Sequence, residues 1–116
     1  MTNVIYGKKT CSTCRKALAD LDARKVSYTF RDIGKQPLSV AEIEDLVGER
    51  PVRPFLNTRT EMYRARNMKS ATPTKAEFIT WLREDPNLLR RPLLLRGEER
   101  LYGYVPDAYA ALAKKK

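Results

Sequence analysis

Apolar residues fall in short clusters along the chain, and the spacing within the clusters changes from one to the next. Asn3 to Tyr6 contains Val4 and Ile5 and is ended by Gly7, which predicts a first buried strand. The period then becomes helical. Cys14, Ala17, Leu18 and Leu21 share one face, while Arg15, Lys16, Asp20 and Arg24 point elsewhere. Ser12 or Thr13 is the expected cap, which leaves Cys11 in the turn at the helix N-terminus. Residues 26–33, VSYTFRDI, are β-branched or aromatic through most of their length and predict a second strand. Strand, helix and strand in this order imply a right-handed parallel crossover.

The middle of the chain reads as helical. Ser39 with Glu42 is a capping-box pair opening a helix through about Val47, Glu61 to Arg66 continues the helical pattern, and Thr74 with Glu77 opens a helix through Trp81 and Leu82. After Arg91-Pro92, the run Leu93 to Leu95 is followed by the turn-like RGEE and then RLYGY, a hairpin. Pro106, Tyr109 and Leu112 mark a last amphipathic helix. The order β-α-β, helical block, β-β-α predicts an α/β (α+β) fold: a thioredoxin-like core with a helical insertion at about 39–90. We expect one domain over 1–113 and a basic tail over 114–116, since 116 residues suit one compact core.

Composition narrows the function. The chain is 42% hydrophobic and 32% charged, a globular balance. Its first residues lack the basic and apolar regions of a secretory signal, so a cytoplasmic location and no membrane partner are expected. In that compartment two cysteines do not form a structural disulfide framework. Net charge is +9, which suits an oxyanion, an acidic partner or nucleic acid, although direct nucleic-acid binding is not the expectation. There is no histidine, which removes the commonest general base and a common zinc ligand. Two sulfurs do not make a metal site, and none is expected.

What remains is Cys-x-x-Cys at Cys11 and Cys14, between a strand and a helix. A thiol attacks as the thiolate, and a helix N-terminus with Lys8, Lys9, Arg15 and Lys16 nearby favours that form of Cys11. Cys14 lies in the apolar stripe and is less exposed. It either resolves what Cys11 forms or is simply a small buried residue. Arg59 and Arg91 stand beside short polar residues and a buried-looking strand, where a guanidinium suits an oxyanion or carboxylate; pairing with a nearby acid is the plainer alternative.

YGKKTCSTCRKA, FLNTR and LLRRPLL…RLYGY together resemble the arsenate reductase (ArsC)/Spx family, from about Val4 to Leu112. The resemblance implies Cys11 as the catalytic nucleophile, while Cys14 stands where arsenate reductases commonly carry another residue. It further implies Arg15 and Arg91 around an anionic substrate, and Pro92 as a cis proline; Arg59, two residues past the family's middle arginine position, is a further anion-binding candidate. No bound cofactor is implied, and the expected reductant is glutathione or glutaredoxin. Asn57 and Gly103 stand where arsenate reductases carry two further arginines. The Cys-x-x-Cys pair and LLRRP look like the Spx branch, redox-sensing transcription regulators that bind the RNA polymerase α-subunit. The expected function is therefore a cytosolic thiol oxidoreductase of the arsenate reductase type, with an Spx-like regulator as the alternative.

Overall fold

The computed structural model describes residues 3–114, so most of the expected basic tail lies outside the described residues. The chain forms two compact units, one built from the segments up to Lys35 and from Arg91 onward, the other from Gln36–Arg90. The expected helical insertion falls within the second.

In the first unit, strand β1 (Asn3–Gly7) leads into helix α1 (Ser12–Ala23), which returns the chain to β2 (Thr29–Asp32). β1 and β2 are parallel, Val4 facing Thr29 and Gly7 facing Asp32. On the other side of β1 lies β3 (Leu93–Arg96), antiparallel, and β3 pairs with β4 (Glu99–Tyr102). The sheet order is β2-β1-β3-β4, and with the C-terminal helix Pro106–Ala113 this is a thioredoxin-like α/β fold. Ile5, Ala17, Leu21, Val26, Leu94, Tyr109 and Leu112 form its core, with Leu18, Phe30, Leu101 and Tyr104 packed against them. Each fully buried large aliphatic side chain here contributes about 1.5–3 kcal/mol.

Two local expectations are corrected. The second strand begins at Thr29, not near Val26, because α1 ends in a Schellman turn that occupies the intervening chain. Lys25 sits at φ +58, its N–H donates to the Asp22 carbonyl, and the Val26 N–H donates to the Leu21 carbonyl, each at 3.0 Å. The hairpin turn is also tighter than RGEE. Arg96 pairs with Glu99, leaving Gly97 and Glu98 as the turn, with Gly97 at φ +58 as a two-residue hairpin requires.

The second unit contains α2 (Val40–Val47), a 3-10 turn at Arg53–Phe55, α3 (Glu61–Ala65), α4 (Lys75–Glu84) and a 3-10 turn at Pro86–Leu88. Both expected capping boxes form: Ser39 with Glu42, and Thr74 with Glu77. The two ends of the unit are tied by an antiparallel bridge between Leu56 and Leu89, framed by Asn57 N–H to Leu88 carbonyl (2.7 Å) and Arg90 N–H to Phe55 carbonyl (2.8 Å). Phe55 and Phe78 meet at 6.2 Å between ring centres, and both are fully buried. The C-terminal helix of the first unit is α5 (Pro106–Ala113).

Candidate active site

The Cys-x-x-Cys turn is assembled by backbone bonds. After β1 the chain turns so that the Cys11 N–H donates to the Lys8 carbonyl at 3.1 Å, and Cys11 takes an extended conformation (φ −84°, ψ 118°) just before α1. The helix cap is then Cys11 itself rather than Ser12 or Thr13. Those two residues already lie inside the helix, and the Cys11 sulfur accepts the Cys14 N–H at 3.3 Å. A sulfur thus fills the position that a serine or aspartate oxygen usually holds, at the positive end of the helix dipole.

The two thiols are driven apart electrostatically. Partial burial of Cys11 opposes its ionisation, but the thiol and N–H of Cys14, the Arg91 charge and the Thr13 N–H outweigh it, so its pKa lies below the ordinary thiol value. Cys14 is 1% exposed. Burial pushes its thiol up first, and hydrogen bonding to Cys11 and the Cys11 charge add to this, so that it reaches about 12 despite the Lys8 N–H and the Arg91 charge.

Arg91 is half-buried, and its charge acts on both sulfurs. The Arg91–Pro92 peptide bond is cis, and the Pro92 carbonyl accepts the Gly103 N–H at 2.8 Å. Gly103 has φ +75, a backbone that disfavours an arginine at this position. Arg15 donates from Nη1 to the Lys9 carbonyl at 2.9 Å, bracing the loop ahead of Cys11. Cys11, Cys14, Arg15, Arg91 and Pro92 thus belong to the first unit, while Arg59 belongs to the second. There the Arg59 N–H donates to Asn57 Oδ1 (3.1 Å) and its carbonyl accepts Arg64 Nη1 (3.3 Å). Asn57 organises this loop, donating also from Nδ2 to the Asn87 carbonyl at 3.1 Å. The second unit also holds a cleft of about 540 Å³ whose lining includes Leu56, Tyr63, Arg53 and Arg90.

Two residues that the sequence reading did not assign to the site, Gly7 and Asp32, shape it. Gly7 lies against Cys14, where a Cβ would stand 2.7 Å from the sulfur. Its place at a strand end directly ahead of the cysteine turn is the only signal that pointed to it. Asp32 accepts the Lys9 N–H (3.4 Å) along with the N–H groups of Gly34 (2.9 Å) and Lys35 (3.3 Å). Tyr109, one of the residues marking the last amphipathic helix, carries a buried hydroxyl with no hydrogen-bond partner among the described residues. No group of three or more His, Cys, Asp or Glu side chains among the described residues could hold a metal ion, and no helix among them is long and apolar enough to cross a membrane.

The chain is similar to the global transcriptional regulator Spx of Bacillus subtilis, 28% identical over 105 residues that cover 89% of this chain and 80% of that protein. Among solved structures it is similar to the YffB protein, with 32% identity, a TM-score of 0.81 and coverage of 95% of this chain and 97% of that one. A possible arsenate reductase from Streptococcus mutans is 30% identical with a TM-score of 0.73, covering 89% of this chain and 91% of that one. The ArsC family model matches residues 6–112, nearly the whole thioredoxin-like chain with its cysteine turn and Arg-Pro pair, and the protein belongs to the ArsC family.

Proposed function

We propose that this protein is a thiol oxidoreductase of the arsenate reductase type, linked to glutathione or glutaredoxin, with Cys11 as nucleophile and Cys14 as resolving thiol. The observation that carries the reading is the opposed pair of thiols, one lowered at a helix cap beside Arg91 and the other buried and raised. On an oxidised thiol substrate, the Cys11 thiolate attacks one sulfur, expels the other as a thiolate and becomes a mixed disulfide. Cys14 or glutathione then attacks at Cys11, closing a new disulfide and releasing the bound thiol. On arsenate, Cys11 displaces a hydroxide, which leaves as water, to form a thiol adduct; a second thiolate then attacks the Cys11 sulfur, and the sulfur–arsenic bond breaks with its electron pair going to arsenic, giving arsenite and a disulfide. Arg91 offers its guanidinium to the oxyanion or to a glutathione carboxylate. With Asn57 and Gly103 at the two further arginine positions, thiol exchange is the stronger of the two reactions.

The test supplies arsenate, glutathione and glutaredoxin and follows arsenite, with a glutathione mixed disulfide as parallel substrate. Turnover of the mixed disulfide that is lost in Cys11→Ser is the expected result. No turnover of either substrate above that variant would sink the reading.

The Spx relatives favour a second reading, a redox-sensing regulator that docks on the RNA polymerase α-subunit. It shares the chemistry at Cys11 and differs in turnover. Stoichiometric binding to polymerase that changes with peroxide, without catalysis, would support it instead.

A further inference from the structure

We propose that Arg15 is a positioning residue for the nucleophile: with Asp32 it clasps the Lys9 backbone from both sides and so holds the turn in which the Cys11 sulfur caps its helix. The inference rests on the thiol-exchange reading above, which makes Cys11 the reacting group, and it gives Arg15 a part that requires no contact with substrate.

The clasp ties α1 and β2 to the loop between β1 and α1, all within the first unit. From α1, Arg15 Nη1 donates to the Lys9 carbonyl at 2.9 Å. From the end of β2, Asp32 Oδ2 accepts the Lys9 N–H at 3.4 Å. Asp32 is itself fixed, because its other oxygen accepts the N–H groups of Gly34 at 2.9 Å and Lys35 at 3.3 Å. The next residue, Ile33, is tied to β1 by its N–H, which donates to the Gly7 carbonyl at 3.0 Å. The Lys8 side chain passes close to Gly34, where a Cβ would stand 3.2 Å from Lys8 Cε, so the loop also packs against the chain that follows β2.

Lys9 is coupled to the sulfur through its neighbours. The Lys8 carbonyl accepts the Cys11 N–H at 3.1 Å, and the Cys11 carbonyl accepts the Arg15 N–H at 3.0 Å. Arg15 therefore holds the turn twice, by its backbone at Cys11 and by its side chain at Lys9, and closes a ring around the residues between them. That ring fixes the extended conformation of Cys11 (φ −84°, ψ 118°), which sets its sulfur 3.3 Å from the Cys14 N–H. Slackening at Lys9 would let Cys11 turn away from the helix end. The sulfur would then lose the donor and the dipole that favour its thiolate.

The clasp governs local geometry more than the fold. Arg15 and Lys9 are exposed, and hydrogen bonds made in water add little to overall stability, so the chain folds without them. An arginine suits the place because its long stem spans the turn and its planar fork aims the donor. Arg15 and Asp32 carry opposite charges, and this separates the clasp from a direct electrostatic effect. Acting on Cys11 by charge alone, loss of the cation would disfavour the thiolate and loss of the anion would favour it. Acting through Lys9, both losses disfavour it.

The test follows the rate of Cys11 modification by iodoacetamide against pH in the full chain, for Arg15→Met, Asp32→Ala and the double variant. Both single variants should raise the midpoint, and on its acid side each should slow the reaction about threefold. The double variant should depart from the sum of the two shifts, as changes at one shared group do. Amide hydrogen exchange supplies a second reading: the Cys11 and Cys14 N–H groups should exchange faster in each single variant, while the Leu21 N–H in the core keeps its protection. Shifts of opposite sign, shifts that simply add, an unchanged midpoint, or unchanged exchange at Cys11 and Cys14 overturn the proposal. A KM for a glutathione mixed disulfide that rises in Arg15→Met while the midpoint stays fixed would assign Arg15 to the substrate and overturn it too. A parent protein that turns over no mixed disulfide above Cys11→Ser overturns the thiol-exchange reading instead, and the midpoints still decide the clasp.

Discussion

The sulfur of Cys11 accepts the backbone N–H of Cys14 at 3.3 Å, so the residue proposed to react is also the residue that caps its own helix. Capping and reactivity are therefore coupled. A negative sulfur is a better acceptor for that N–H and a better match for the positive helix end, so the fold itself favours the thiolate.

The first prediction is a pH profile. With Cys11 lowered and Cys14 at about 12, iodoacetamide should modify Cys11 first, with a rate midpoint below the ordinary thiol value of 9.0. Replacing Arg91 with Gln removes a cation that favours the Cys11 thiolate, so the midpoint should rise. Mass spectrometry of the singly modified protein identifies the site. Modification of Cys14 ahead of Cys11 would reverse the assigned roles.

Gly7 offers a steric prediction. A Cβ there would stand 2.7 Å from the Cys14 sulfur and 3.3 Å from its Cβ, and Cys14 is itself closely packed. Gly7→Ala should destabilise the fold by about 1–3 kcal/mol in urea unfolding, as overpacked positions do. The double variant Gly7→Ala with Cys14→Ala, which removes the opposing sulfur, should recover most of that loss. Equal destabilisation in both backgrounds would mean that the sulfur is not the obstacle.

Features whose determinants lie close together in the chain were legible in the sequence. β1 and α1 follow from local periodicity, and the Ser39–Glu42 and Thr74–Glu77 boxes each need only four consecutive residues. Two local details were obscured by unusual chemistry. Lys25 takes the left-handed turn position where glycine is expected, so nothing marked Val26 as turn rather than strand. Cysteine is not a usual cap, so Ser12 and Thr13 drew the assignment. The Cys11, Cys14 and Arg91 grouping was reached through the resemblance of three separated motifs. Gly7 against Cys14 depends on packing between elements that no local pattern encodes.

The Lys25 turn gives a stability prediction. A residue with a Cβ at φ +58 is strained by about 1–2 kcal/mol, and glycine relieves this while adding freedom to the unfolded chain. Lys25→Gly should therefore stabilise the protein by up to about 1 kcal/mol in urea. Asn67→Gly, at φ +51 in the equivalent turn after α3, should give less, because asparagine tolerates this conformation better. A loss of stability in Lys25→Gly would show that the lysine side chain contributes more than its backbone costs.

Asp32 carries the last prediction, on acid stability. Its slight burial opposes ionisation, but the N–H groups of Lys9, Gly34 and Lys35 and the Lys35 charge outweigh this, so its pKa lies below the ordinary value of 3.8. A carboxylate with a depressed folded-state pKa contributes stability that is fully present above its unfolded pKa and is lost as pH falls through the folded one. Asp32→Ala should therefore be less stable than the parent by a constant amount from pH 5 to 8, and the difference should shrink as pH drops below about 4. The Lys9 N–H loses its side-chain acceptor in the variant, which frees the loop that leads into Cys11. Urea unfolding across this pH range measures the first effect, and the rate of Cys11 alkylation at neutral pH measures the second. A stability difference that grows on acidification would contradict a depressed carboxyl and remove Asp32 from the account of how the turn is held.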